Sequence, residues 1–107
     1  MGEKNLVVFL DNNAANRYRL FCRTEKNRVV TFRVQYEAQI DGEWHTIVRY
    51  DTAHGFPHRD LLHPKLPEEK NIYPYRSNTD VLTDGQRDIK RNWRSYRERY
   101  ESELKDE

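Results

Sequence analysis

The chain has 107 residues, 19 basic and 18 acidic side chains, four histidines and a formal net charge of +1, which is room for one hydrophobic core and not for two. Charged residues make up 35% of it and mean hydropathy is −1.13, yet 12% aromatic content supplies the bulk of a compact core. The single cysteine, Cys22, excludes an internal disulfide. No apolar run approaches the roughly 20 residues of a membrane span, and Met-Gly-Glu-Lys-Asn-Leu lacks the apolar region of a signal peptide, so a cytoplasmic chain with no membrane partner is expected. Near-neutrality hides local basic surfaces: Arg17, Arg19, Arg23, Lys26, Arg28 and Arg33 face one acid, Glu25, in their stretch.

Leu6 to Leu10 and Tyr18 to Arg23 are strand candidates, separated by a turn of bend-tolerant residues from Asp11 to Asn16; Lys26-Asn27 is the next expected turn. The clearest element is a hairpin. Val30, Phe32, Val34, Tyr36 and Ala38 alternate with polar residues, and Trp44, Thr46, Val48 and Tyr50 do so again after Asp41-Gly42. A two-residue turn would set apolar against polar positions. A three-residue loop Ile40-Asp41-Gly42 is therefore expected, pairing Ala38 with Trp44, Tyr36 with Thr46, Val34 with Val48 and Phe32 with Tyr50. The opposite face then carries Glu37 across from His45 and Arg33 across from Arg49.

From Asp51 to Asn78, Gly55 and four prolines (Pro57, Pro64, Pro67, Pro74) predict a mostly irregular loop, with Ile72 to Arg76 as a candidate short edge strand. A helix over about 80–104 follows, because Leu82, Ile89, Trp93, Tyr96, Tyr100 and Leu104 fall on one narrow arc. It begins either at a capping box from Thr83 or at Thr79-Asp80, the latter enclosing Gly85 at about 1 kcal/mol relative to Ala. The expected fold is a single α+β domain: an antiparallel sheet of three or four strands over about 6–50, a His/Pro loop over 51–78, and the C-terminal helix packed on one face.

The loop after the hairpin is the densest chemistry in the chain: Arg49, Asp51, His54, His58, Arg59, Asp60 and His63 lie within fifteen residues. His54, His58 and His63, with Asp51 or Asp60, could bind zinc or manganese, but their spacing in a proline-broken segment defines no shared face, and neither a metal nor a cofactor is expected. Metal-free phosphodiester cleavage needs a base, an acid and cations for the charge on phosphorus. His54 and His58 supply the first two, Arg49 and Arg59 the third, and Asp51 or Asp60 can orient an imidazole. Arg33, His45, His63 and the helical Arg87, Arg91 and Arg94 are candidate binding groups for RNA. The bland alternative is a loop held by its own hydrogen bonds and a helix whose arginines pair with Glu98, Glu101 and Glu103 at i,i+4. A non-enzymatic protein- or nucleic-acid-binding module is the other reading.

Val48-Arg49-Tyr50-Asp51, then Phe56-Pro57-His58-Arg59-Asp60 and a final helix with Trp93, resembles the small prokaryotic TumE-type toxins of toxin-antitoxin pairs. That resemblance implies an RNA-directed activity centred on Arg49, Tyr50, Asp51, Pro57 and His58, and a cognate antitoxin as partner. Arg59-Asp60 and the later His63 depart from the toxin pattern. The longer string from Asp41-Gly-Glu-Trp-His45 through His58-Arg-Asp-Leu-Leu-His-Pro64 resembles an uncharacterised prokaryotic family.

Overall fold

The computed structural model describes residues 2–53 and 55–106. Strands β1 (Gly2–Phe9), β2 (Asn16–Glu25), β3 (Arg28–Ile40), β4 (Glu43–Asp51), β5 (His58–Leu61) and β6 (Glu69–Ile72) form one antiparallel sheet in chain order, and α1 (Asn78–Lys105) lies across one face. The α+β class is as expected, but the sheet has six strands, not three or four. The two extra strands lie in the segment read as irregular. Its prolines fall between strands, Pro57 just ahead of β5, Pro64 and Pro67 between β5 and β6, and Pro74 beyond β6, where no ladder N–H is needed. No described helix is long and apolar enough to cross a membrane.

The hairpin also differs from expectation. Asp41 (φ 52°) and Gly42 (φ 82°) make a two-residue turn, with Ile40 opposite Glu43 and Ala38 opposite His45. A β-bulge then absorbs Ile47, so that Tyr36 meets Val48 and Val34 meets Tyr50. One extra residue thus restores apolar pairing without lengthening the turn, and both Ile47 and Val48 are fully buried.

Tyr18, Leu20, Phe32, Val34, Tyr36, Val48 and Tyr50 form the sheet side of the core, and Val81, Leu82, Ile89, Trp93 and Tyr100 the helix side. Trp93 packs on Tyr36 with ring centroids 6.3 Å apart. Ser77 caps the helix, its hydroxyl accepting from Asp80 N at 3.0 Å, and α1 begins directly after it at Asn78, one residue ahead of the earlier of the two expected starts. Gly85 sits where a Cβ would stand 2.8 Å from the Tyr50 ring. It is what lets the helix lie close on β4.

Candidate functional site

The period of two and the strand register fix which side chains share the face that α1 leaves open. One row crosses all six strands as Val7, Arg19, Gln35, Arg49, Asp60 and Lys70; its neighbour runs Asn5, Phe21, Arg33, Asp51, His58 and Ile72. Phe9, Arg17, Glu37 and Thr46 make a third. Cations and aromatic or apolar groups are therefore interleaved across one open surface.

At its β4–β5 end lies a buried polar network. His58, Asp51 and Asp60 are 4%, 3% and 2% exposed. His58 Nε2 stands 2.8 Å from Asp51 Oδ1 and 3.4 Å from Asp60 Oδ2, and Nδ1 donates to Phe56 O at 3.1 Å. Arg33 Nε donates to Asp51 Oδ2 at 3.2 Å, Arg49 Nη2 to Asp60 Oδ2 at 3.2 Å, and Lys70 Nζ lies 3.2 Å from Asp60 Oδ1. Ala53 N donates to Asp51 Oδ1 at 3.1 Å. Burial pushes the Asp60 carboxyl up, but hydrogen bonds from Lys70 and Arg49 and the nearby His58 outweigh it and hold the group below the ordinary carboxylate value.

Asp51, His58 and Asp60 offer ligand atoms within 4.8 Å of one another. They do not fit a divalent cation: the carboxylate oxygens already face Arg33, Arg49, Lys70, the imidazole or a main-chain N–H, and a metal would add charge beside three cations. An ion-pair network accounts for the donor set.

Toward β1 the same face opens. A hollow of about 460 Å³ is lined by Asn5, Val7, Arg19, Phe21, Arg33 and Gln35, and one of about 480 Å³ shares Phe21 and Arg33 with it and reaches Asp51, Thr52 and Gly55. The Arg19 and Arg33 side chains are 57% and 51% exposed, leaving donors free for a ligand. Arg17 stacks on Trp44 with its guanidinium 3.7 Å from the ring centroid and pairs with Glu37 at 2.7 Å.

The structure brings Arg33, Arg49, Asp51 and His58 together and sends the other expected residues among those described elsewhere. Arg59 points from β5 to the helix side, donating to Tyr96 Oη at 3.3 Å and Asn71 Oδ1 at 3.2 Å, since neighbours on a strand face opposite ways. His45 does not share a face with Arg49: the Ile47 bulge turns it toward the helix, where Nδ1 lies 3.3 Å from Tyr100 Oη. His63 sits between Glu103 at 2.5 Å and Glu69 at 2.6 Å, and so joins neither a three-histidine metal set nor the His58 network. His54 lies outside the described residues. Arg87, Arg91 and Arg94 are exposed on the outer side of α1, remote from the open sheet face, with Arg94 over the Trp93 ring at 4.4 Å. Arg97 leaves that stripe altogether, donating to Asn16 Oδ1 at 3.1 Å and Gln39 O at 3.0 Å.

Sequence reasoning overlooked Arg19, Phe21 and Lys70. The signal was present in β2, where Arg17, Arg19, Phe21 and Arg23 alternate with Tyr18, Leu20 and Cys22 and so share a face.

Residues 1–106 match the model of a family described as a domain of unknown function, DUF7718. The chain belongs to the DUF7718 family. No curated protein and no solved structure matches it. The match spans the sheet and helix of this DUF7718 chain together, so the polar network and the open arginine face both fall within the family's domain.

Proposed function

We propose that this DUF7718 chain binds single-stranded RNA across the helix-free face of its sheet. The observation that carries the reading is the interleaving of Arg19 and Arg33 with Phe21 around two adjoining hollows on a face that no other element among the described residues covers. Phosphates are recognised by exposed guanidinium groups, and an unstacked base finds a π-surface on Phe21. A pleated surface that stacks splayed bases suits a single strand better than a duplex, whose bases are already stacked.

Fluorescence anisotropy of a labelled mixed-sequence 12-nucleotide RNA tests it. Affinity should fall steeply with salt, and Arg19→Ala should lower the slope of log K against log salt by about 0.7, the value of one single-strand phosphate contact. Arg87→Ala, on the helix, should leave the slope unchanged. Absence of binding at low salt by folded protein rules the reading out.

A second reading is favoured by one contact, the 2.8 Å pair of Asp51 with His58 on the same face as Arg33 and Arg49. An imidazole oriented by a carboxylate beside two guanidinium groups is the equipment for phosphodiester cleavage, in keeping with the toxin resemblance and an antitoxin partner. Against it, His58 is almost wholly buried with both ring nitrogens engaged. Cleavage of end-labelled RNA by wild type, lost in folded His58→Ala, would replace binding by catalysis as the activity of this face.

A further inference from the structure

The two edges of the sheet are built differently. The β6 edge is four residues long, carries Glu69 and Lys70, and is flanked by Pro67 and Pro74, the features by which edges avoid pairing. The β1 edge is eight residues long and without proline, and Leu6, Val7, Val8 and Phe9 succeed one another in it, with Val7 50% and Phe9 51% exposed.

The direction of its main-chain groups follows from the register. Leu10 N donates to Asn16 O at 2.8 Å, so the even-numbered residues of β1 point their N–H and C=O groups into β2. Those of Glu3, Asn5, Val7 and Phe9 point outward, to the free edge. Such a row is a template on which another strand can pair.

We infer that β1 pairs antiparallel with β1 of a second copy of this chain about a two-fold axis through Val7. Residues opposed across an antiparallel pair share a face, so the axis keeps both helices on one side and both arginine faces on the other. In this register Val7 meets its own counterpart, Leu6 meets Val8, and Asn5 meets Phe9. About six main-chain hydrogen bonds form between outward-pointing residues, with Val7 against Val7 on the helix-free face and Leu6 against Val8 on the other. Every copy of the chain carries this strand, and it is self-complementary at its centre, where Leu6, Val7 and Val8 meet Val8, Val7 and Leu6.

The pairing alters the RNA surface proposed above, although it does not depend on that reading. The row that begins at Arg19 and Val7 continues into Val7 and Arg19 of the second copy, and the hollow beside β1 gains the second copy's Phe9 as a wall. Two hollows become one trough flanked by paired arginines.

Sedimentation equilibrium of the full chain over 1–100 µM, without RNA, tests the pairing. Wild type should show twice the 13.0 kDa chain mass. Asn5→Pro, which removes an outward N–H, and Val7→Lys, which sets two charges on the axis, should each give the single-chain mass with an unchanged circular dichroism spectrum. A wild-type monomer at 100 µM, assembly beyond a dimer, or dimers persisting in both folded variants would overturn the proposal. RNA binding by a monomer would leave the sheet-face reading standing while removing this one, and an RNA-inactive dimer would do the reverse.

Discussion

Gly85 of α1 lies so close to Tyr50 of β4 that a Cβ on the glycine would stand 2.8 Å from two atoms of the ring. Alanine at this position gains about 1 kcal/mol of helix propensity, but forcing a methyl group into a packed contact costs about 1–3 kcal/mol. Tyr50 cannot step aside freely, because its hydroxyl donates to Asp88 at 2.7 Å. Gly85→Ala should therefore lower stability by about 1 kcal/mol in urea unfolding, and a more stable variant would show that the contact has slack.

Arg49 and Arg19 stand in one row of the open face, with Gln35 between them, but differ in burial, and their substitutions should separate stability from binding. Arg49 lies against two buried carboxylates, and Arg49→Met should cost about 3 kcal/mol by leaving them underpaired. Arg19 is half exposed with a long 3.6 Å contact to Glu37, and Arg19→Ala should change stability by less than about 1 kcal/mol while weakening RNA binding. Parallel denaturation and anisotropy measurements check both; equal stability losses would contradict the division.

His63 ties the β5–β6 connection to α1, and its hydrogen bonds to Glu103 and Glu69 raise its pKa above the ordinary histidine value. A raised folded value contributes stability that is fully present below the unfolded value of about 6.5 and is lost as pH rises through the folded one. The melting temperature should fall as pH is taken upward from about 6.5, and His63→Gln should flatten that decline. Glu103 moves the other way. Burial pushes its carboxyl up, but hydrogen bonds from His63 and Arg99 hold it below the usual range, so its share is lost as pH falls through the folded value.

Asp88 accepts hydroxyl hydrogen bonds from Tyr50 at 2.7 Å and Tyr96 at 2.5 Å. Burial, then Asp88, pushes the Tyr96 phenol up to about 12. Asp88→Ala should destabilise the chain by about 1–3 kcal/mol by stranding the two hydroxyls. Ultraviolet titration should then show a tyrosine ionising at lower pH than in wild type; an unchanged titration would mean that Asp88 does not set it.

Hydropathy made the helix and the β3–β4 hairpin legible because Ile89, Trp93 and Tyr100, like Phe32, Val34 and Tyr36, place apolar groups at the period of their element. It missed β5, and set the last edge strand at Ile72 to Arg76 where β6 runs from Glu69 to Ile72, for a physical reason. In β5 the buried positions are His58 and Asp60, on the helix-free face and buried by ion pairing and not by apolar packing, and β6 buries none of its four residues. The hairpin register escaped because a bulge of one residue, Ile47, is invisible to strict alternation. The concentration of Arg49, Asp51 and His58 near one site was readable from their spacing, and Arg33 was expected beside them from the hairpin, though opposite Arg49 where it pairs with Asp51; Arg59 and His45 could be placed on the other face only once strand pairing was known.

Because the six strands neighbour one another in chain order, every pairing in the sheet joins consecutive segments. Loop closure for each step is short, and such a sheet can assemble by successive addition of hairpins. The helix is the exception: it packs on β3 and β4 from the far end of the chain. During synthesis, Val34, Tyr36 and Val48 must wait uncovered until residues 81 to 100 emerge. The interval between sheet and helix is thus the moment of greatest exposure to aggregation, and quenching or burial of Trp93 should report its end.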